Sequence, residues 1–143
     1  MEQVTKEKQL KVVTDNKVGR LSEVAGLVAD KGVNIGNICA YTSDKEAIIY
    51  LLTSDNARAR KALEGKGFRI EEEEVILLRL WNRAGSLAAV TARLKKNGID
   101  IEYVYGTSTM SGERMTVVFS SDDNDRAVEV FASMLLEDGE KII

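Results

Sequence analysis

Residues 10–38 read LKVVTDNKVGRLSEVAGLVADKGVNIGNI, and residues 76–104 read ILLRLWNRAGSLAAVTARLKKNGIDIEYV. The second stretch repeats the first at an offset of 66. At that spacing Asn16 falls on Asn82, Gly19 on Gly85, Leu21 on Leu87, Val24 on Val90 and Val28 on Leu94. Gly32-Val33-Asn34-Ile35 likewise falls on Gly98-Ile99-Asp100-Ile101. Further along, an offset of 67 lays 47–55 over 114–122, which implies a one-residue insertion near Ser111-Gly112. So many matches at one spacing mark an internal duplication, and a repeat governs every later reading of the fold.

Each copy switches between two periods. Leu10, Val12 and Thr14 share one side of a strand, as do Ile76, Leu78 and Leu80, because successive strand side chains point to opposite faces. Leu21, Val24 and Val28 are spaced for one face of a helix, and so are Leu87, Val90 and Leu94. Gly32 and Gly98 stand where a helix ends in a left-handed residue. Strands are predicted over 34–42 and 47–53, joined through Ser43-Asp44-Lys45-Glu46, and over 100–109 and 114–120, joined through Met110-Ser111-Gly112-Glu113. Second helices are predicted over 56–66 and 124–137, with a closing strand at 68–73 and a shortened one at 141–143.

The order βαββαβ, met twice, predicts an α+β protein of two tandem ferredoxin-like units over 8–74 and 75–143. Each would be a four-stranded antiparallel sheet with two helices on one face. On the other face copy two carries Leu77 and Trp81 where copy one has Lys11 and Asp15. An apolar sheet face without helices predicts contact with another chain, hence a homodimer.

The composition is that of an ordinary globular chain: 143 residues, 44% hydrophobic and 30% charged. There is no histidine, which excludes Ser-His-Asp and Cys-His nucleophile pairs and histidine metal sites. The lone cysteine, Cys39, forms neither an internal disulfide nor a cysteine-rich zinc site. No catalytic residue, metal or cofactor is therefore expected, and the chain reads as a non-enzyme. A net charge of −3 offers no basic surface to nucleic acid. No apolar run is long enough to span a membrane. The opening MEQVTKEKQL lacks a signal-peptide core, so a cytoplasmic protein is expected.

The chemistry concentrates at the first strand-to-helix turn of each copy, Asp15-Asn16-Lys17-Val18-Gly19-Arg20-Leu21 and Trp81-Asn82-Arg83-Ala84-Gly85-Ser86-Leu87. A glycine lets backbone approach a ligand, and the N–H groups of a helix's first turn suit a carboxylate. Asn16 and Asn82 offer a donor and an acceptor to a zwitterion, while Asn34 and Asp100 offer acceptors to an ammonium group. The alternative is structural: the asparagines make Asx-turns or cap the helices, and Asn34 and Asp100 merely end the preceding turn.

The pattern N-x-x-G-x-L, a helix of about three turns and then G-[VI]-[ND]-I resembles the ACT domain family, small regulatory domains that sense amino acids. The resemblance spans nearly the whole chain as two tandem units. It implies that the units pair side by side into one eight-stranded antiparallel sheet and that a free amino acid binds at their seam. Carried over residue by residue, Asn16 and Gly19 face Asp100 across that seam, and Asn82 and Gly85 face Asn34. Val18, Arg20, Leu21, Ile35, Ala84, Ser86, Leu87 and Ile101 complete the implied ligand-binding set. The chain departs from the family at Val18 and Ala84, where proline is frequent, and at Thr14 and Leu80, where amino-acid-sensing relatives carry histidine. The expectation is a non-catalytic sensor acting on a partner enzyme, with a ligand-free assembly module of the same fold as the alternative.

Overall fold

The computed structural model describes residues 4–107 and 110–138. Its elements run β1 (Val4–Asp15), α1 (Arg20–Asp30), β2 (Ile35–Ser43), β3 (Glu46–Thr53), α2 (Asn56–Leu63), β4 (Arg69–Trp81), α3 (Ser86–Lys96), β5 (Ile101–Thr107), β6 (Arg114–Ser121) and α4 (Asn124–Asp138). The strands form a single six-stranded sheet in the order β2-β3-β1-β4-β6-β5, not the eight-stranded sheet that the resemblance implied. The difference has a local cause. No glycine or proline interrupts 69–81, so the closing strand of copy one continues without a turn as the opening strand of copy two. The strand expected at 141–143 lies outside the described residues.

Two compact units result. One is Lys8–Glu73, and the described residues of the other are Val4–Glu7 together with those from Glu74 onward. Each long strand thus divides its length between the two. In the first-copy unit, Leu10, Val12, Val24, Val28, Ile49, Leu51 and Leu63 form the core. In the second-copy unit the core is Ile76, Leu78, Leu80, Val90, Leu94, Phe119 and Phe131, with Val4 packed against it. Leu21 and Leu87, expected on the buried faces of their helices, are 45% and 47% exposed. They sit in the first turn of each helix, where Leu21 borders a cavity against β2 and β3.

The register of the third strand in each copy corrects the alignment of the repeats. Thr14 stands opposite Ala47 in one, and Leu80 opposite Met115 in the other. The offset there is 68, so the hairpin insertion is two residues, not one. The helix starts agree: Asp55 accepts from the Arg58 N–H, and Asp123 accepts from the Arg126 N–H. The doubled Ser120-Ser121-Asp122-Asp123 satisfies either offset by residue type. Only pairing resolves it, because a one-residue slip exchanges the two faces of a strand.

The face opposite the helices is not the open apolar surface that was expected. Val75 and Val118 are fully buried, Leu77 and Trp81 are half-buried, and the Arg114 guanidinium lies 4.1 Å from the Trp81 ring centroid. Among the described residues, no helix is long and apolar enough to cross a membrane.

An asparagine at the start of the second helix clamps each unit. Asn56 Nδ2 donates to the Lys8 carbonyl at 2.8 Å, and Asn124 Nδ2 donates to the Glu74 carbonyl at 3.1 Å. Asn124 Oδ1 also accepts from the Ser121 N–H and hydroxyl. Truncating Asn124 to alanine removes the acceptor of the part-buried Ser121 N–H, so Asn124→Ala should cost about 1–3 kcal/mol in urea unfolding. A change below about 0.5 kcal/mol, the scale of an ordinary surface substitution, would contradict the clamp.

Candidate functional site

Both first helices start from a glycine in the left-handed region, Gly19 at φ 91° and Gly85 at φ 90°, a conformation that costs other residues side-chain strain. The N-cap position of both helices is a glycine, which has no side chain to cap with. The turns are held by backbone instead. Asn16 N–H donates to the Lys45 carbonyl at 2.8 Å, and Asn82 N–H to the Glu113 carbonyl at 2.6 Å. The first turn of α1 therefore has no acceptor from its own cap residue, an arrangement suited to an anion.

The two turns carry different chemistry. In copy one the Asp15 carboxylate receives Lys17 Nζ at 3.1 Å and Arg20 Nη2 at 2.6 Å. Arg20 Nε and the Thr14 hydroxyl also donate to it, at 2.8 and 3.2 Å. Arg20 reaches Glu23 as well, at 3.0 Å. Lys17 first and Arg20 second hold the Asp15 carboxyl below the ordinary range, against a small opposing effect of desolvation. Copy two has Trp81, Arg83, Ser86 and Ala89 at the positions of Asp15, Lys17, Arg20 and Glu23, so this charge network has no counterpart there. Ser86 is 6% exposed, and its hydroxyl has no hydrogen-bond partner.

A cavity of about 240 Å³ opens beside the copy-one turn. Asn16, Lys17, Gly19, Arg20 and Leu21 line it from the turn and α1, while Ala40, Tyr41 and Thr42 of β2 and Ala47, Ile48 and Ile49 of β3 form the wall. Val18, wholly exposed, is not part of the lining. Asn34 and Ile35 are elsewhere. Asn34 exchanges hydrogen bonds with Ser54 at the start of β2, whereas Asn16 meets Lys45 just past its end. The nine residues of β2 separate them by roughly 30 Å at the usual rise of a strand.

In copy two, Ala84, Gly85 and Leu87 are exposed at the start of α3 and Asn82 is half-buried. Asp100 and Ile101 line a groove of about 420 Å³ with Thr91, Leu94, Lys95, Gly98 and Ile99, and the turn residues are not part of it. The Asp100 backbone N–H donates to the Asp122 carboxylate at 3.0 Å. Sequence reasoning missed the contribution of the β2–β3 hairpin. Its signal was the pair of small residues Ala40 and Ala47 in otherwise bulky strands. Among the described residues, no three His, Cys, Asp or Glu side chains cluster as metal ligands.

Two measurements test this geometry. A carboxyl whose pKa is lowered in the folded state adds stability above its unfolded value, about 3.9, and loses it as pH falls through the folded value. NMR titration should therefore place Asp15 below ordinary aspartates, and Lys17→Ala should return it toward them. An unmoved Asp15 in that variant would refute the assignment. Ser86→Ala removes an unsatisfied buried hydroxyl and a weaker helix former, so thermal unfolding should show unchanged or slightly raised stability. A loss of about 1 kcal/mol or more would show that the hydroxyl has a partner.

Comparison with known proteins places the fold. Residues 5–139 match the family described as ACT domain pair. A solved protein from Bacteroides thetaiotaomicron is 29% identical, with a TM-score of 0.84 over 92% of this chain and 90% of that one. The ligand-free regulatory subunit of aspartate kinase from Thermus thermophilus is 14% identical, with a TM-score of 0.64 over 88% and 91%. Aspartokinase III of E. coli, solved in complex with lysine and aspartate, is 17% identical, with a TM-score of 0.54 over 94% of this chain and 32% of that one. At those identities the two kinases share the fold alone. No curated protein matches the sequence.

Proposed function

The chain belongs to the ACT domain pair family, and from that premise we propose that it binds a free amino acid in the cavity beside the copy-one turn. It is a non-catalytic regulatory module. The observation that carries the proposal is the cavity at the uncapped start of α1. The ligand carboxylate points to the first-turn N–H groups and to donors of Lys17 and Arg20 left over from Asp15. The ammonium group takes the Asn16 amide oxygen and the Thr42 hydroxyl as acceptors.

A binder without reaction chemistry acts through something else. Occupancy would favour one of two packing states of the protein, with a regulated enzyme or a second copy reading the difference. A second reading, pure assembly, has its own support. β2 and β5 end the sheet, and Ile38, Tyr41 and Val104 on them are exposed, which leaves strand edges able to pair.

Thermal-shift measurements with each of the twenty amino acids separate the two. A ligand at a hundred times its dissociation constant should stabilise the fold by about 2.7 kcal/mol. Twenty flat melting curves would overturn the sensor and leave the assembly module.

A further inference from the structure

We infer that the copy-one cavity selects an amino acid with a short aliphatic side chain, and that Met115 closes the corresponding room in copy two. This rests on the amino-acid reading above and deepens it. At about 240 Å³ the cavity falls below the roughly 300–1,000 Å³ of pockets for drug-sized ligands, so a molecule the size of a free amino acid fits it. Leu21, Ala40, Ala47 and Ile49 present an apolar wall to the side chain. No carboxylate belongs to the lining, so a lysine or arginine ligand would bring a cation to a wall without countercharge. Lys17 and Arg20 already share the Asp15 carboxylate. One ligand carboxylate takes their remaining donors, whereas the second carboxylate of an acidic amino acid would have to enter the apolar wall.

The comparison within the chain isolates the residue that decides. Register sets Ala47 opposite Thr14 and Met115 opposite Leu80. On the adjoining edge strand Ala40 pairs with Ile49, and Gly106 pairs with Val117. Copy one therefore has Thr14, Ala40 and Ala47 where copy two has Leu80, Gly106 and Met115. The Met115 methyl lies 3.5 Å from the point that a β-carbon on Gly106 would occupy, and the Met115 side chain packs on the second core. At 3.5 Å that is ordinary van der Waals contact, so the methionine packs against the bare backbone of Gly106 and occupies the position that Ala47 holds beside the copy-one cavity.

Titration calorimetry on the full chain with alanine, valine, leucine, isoleucine, aspartate, lysine and phenylalanine tests this, with the variant Ala47→Met copying the second repeat. The expected result is one aliphatic amino acid bound per chain, with affinity falling at least about tenfold in Ala47→Met. Circular dichroism and melting without ligand check that the variant folds, and Ala40→Leu fills the same cavity from β2 should it fail. Binding of charged or aromatic amino acids alone, two sites per chain, or unaltered affinity in both variants would overturn the inference and leave the amino-acid reading standing. Silence from all twenty amino acids would overturn both.

Discussion

The antiparallel register between the first and third strands of each copy is the constraint from which the rest follows. Setting Thr14 against Ala47 and Leu80 against Met115 decides which side chains meet the helices. In a strand that choice is all or nothing, since moving one residue exchanges the whole buried set for the exposed one. Backbone bonds from Asn16 to Lys45 and from Asn82 to Glu113 lock the register at the turn, and the asparagine clamps at Asn56 and Asn124 lock the far end. Both cores and the cavity take their shape from those anchors.

Duplication supplied two equal turns, and substitution has made them unequal. In copy one Asp15 gathers Lys17 and Arg20 beside an open cavity. In copy two the same stretch carries Trp81, stacked under Arg114, and Met115 lies over Gly106. Trp81 and Met115 put packing in copy two where copy one has the Asp15 carboxylate and the small Ala47.

Much of the fold was legible because burial obeys period. Leu10, Val12, Ile76, Leu78 and Leu80 were read as inward by alternation, and all are fully buried. Val24, Val28, Val90 and Leu94 were read as inward by helical spacing, and all are buried. Leu21 and Leu87 share that spacing but are exposed, because periodicity gives the face a residue is on and not whether distant side chains close over it. The candidate site was half legible. Asn16, Gly19, Arg20 and Leu21 stand together by their closeness in sequence, whereas Ala40 and Ala47 reach the same cavity only through strand pairing. The expected partnership with Asn34 and Asp100 was an inference about distant elements, and within copy one Asn34 stands at the far end of β2.

By itself, the sequence determined the duplication, the order of elements, the faces of the strands and the special turns, because each depends on residues close along the chain. Tertiary structure decided the rest. It joined two expected strands into β4, lengthened the hairpin insertion to two residues and set Ala40 and Ala47 beside the copy-one turn. Those outcomes depend on which main-chain groups find each other across the sheet and on how much volume facing side chains leave between them. Pairing and volume are properties of residues far apart in sequence, and no local pattern carries them.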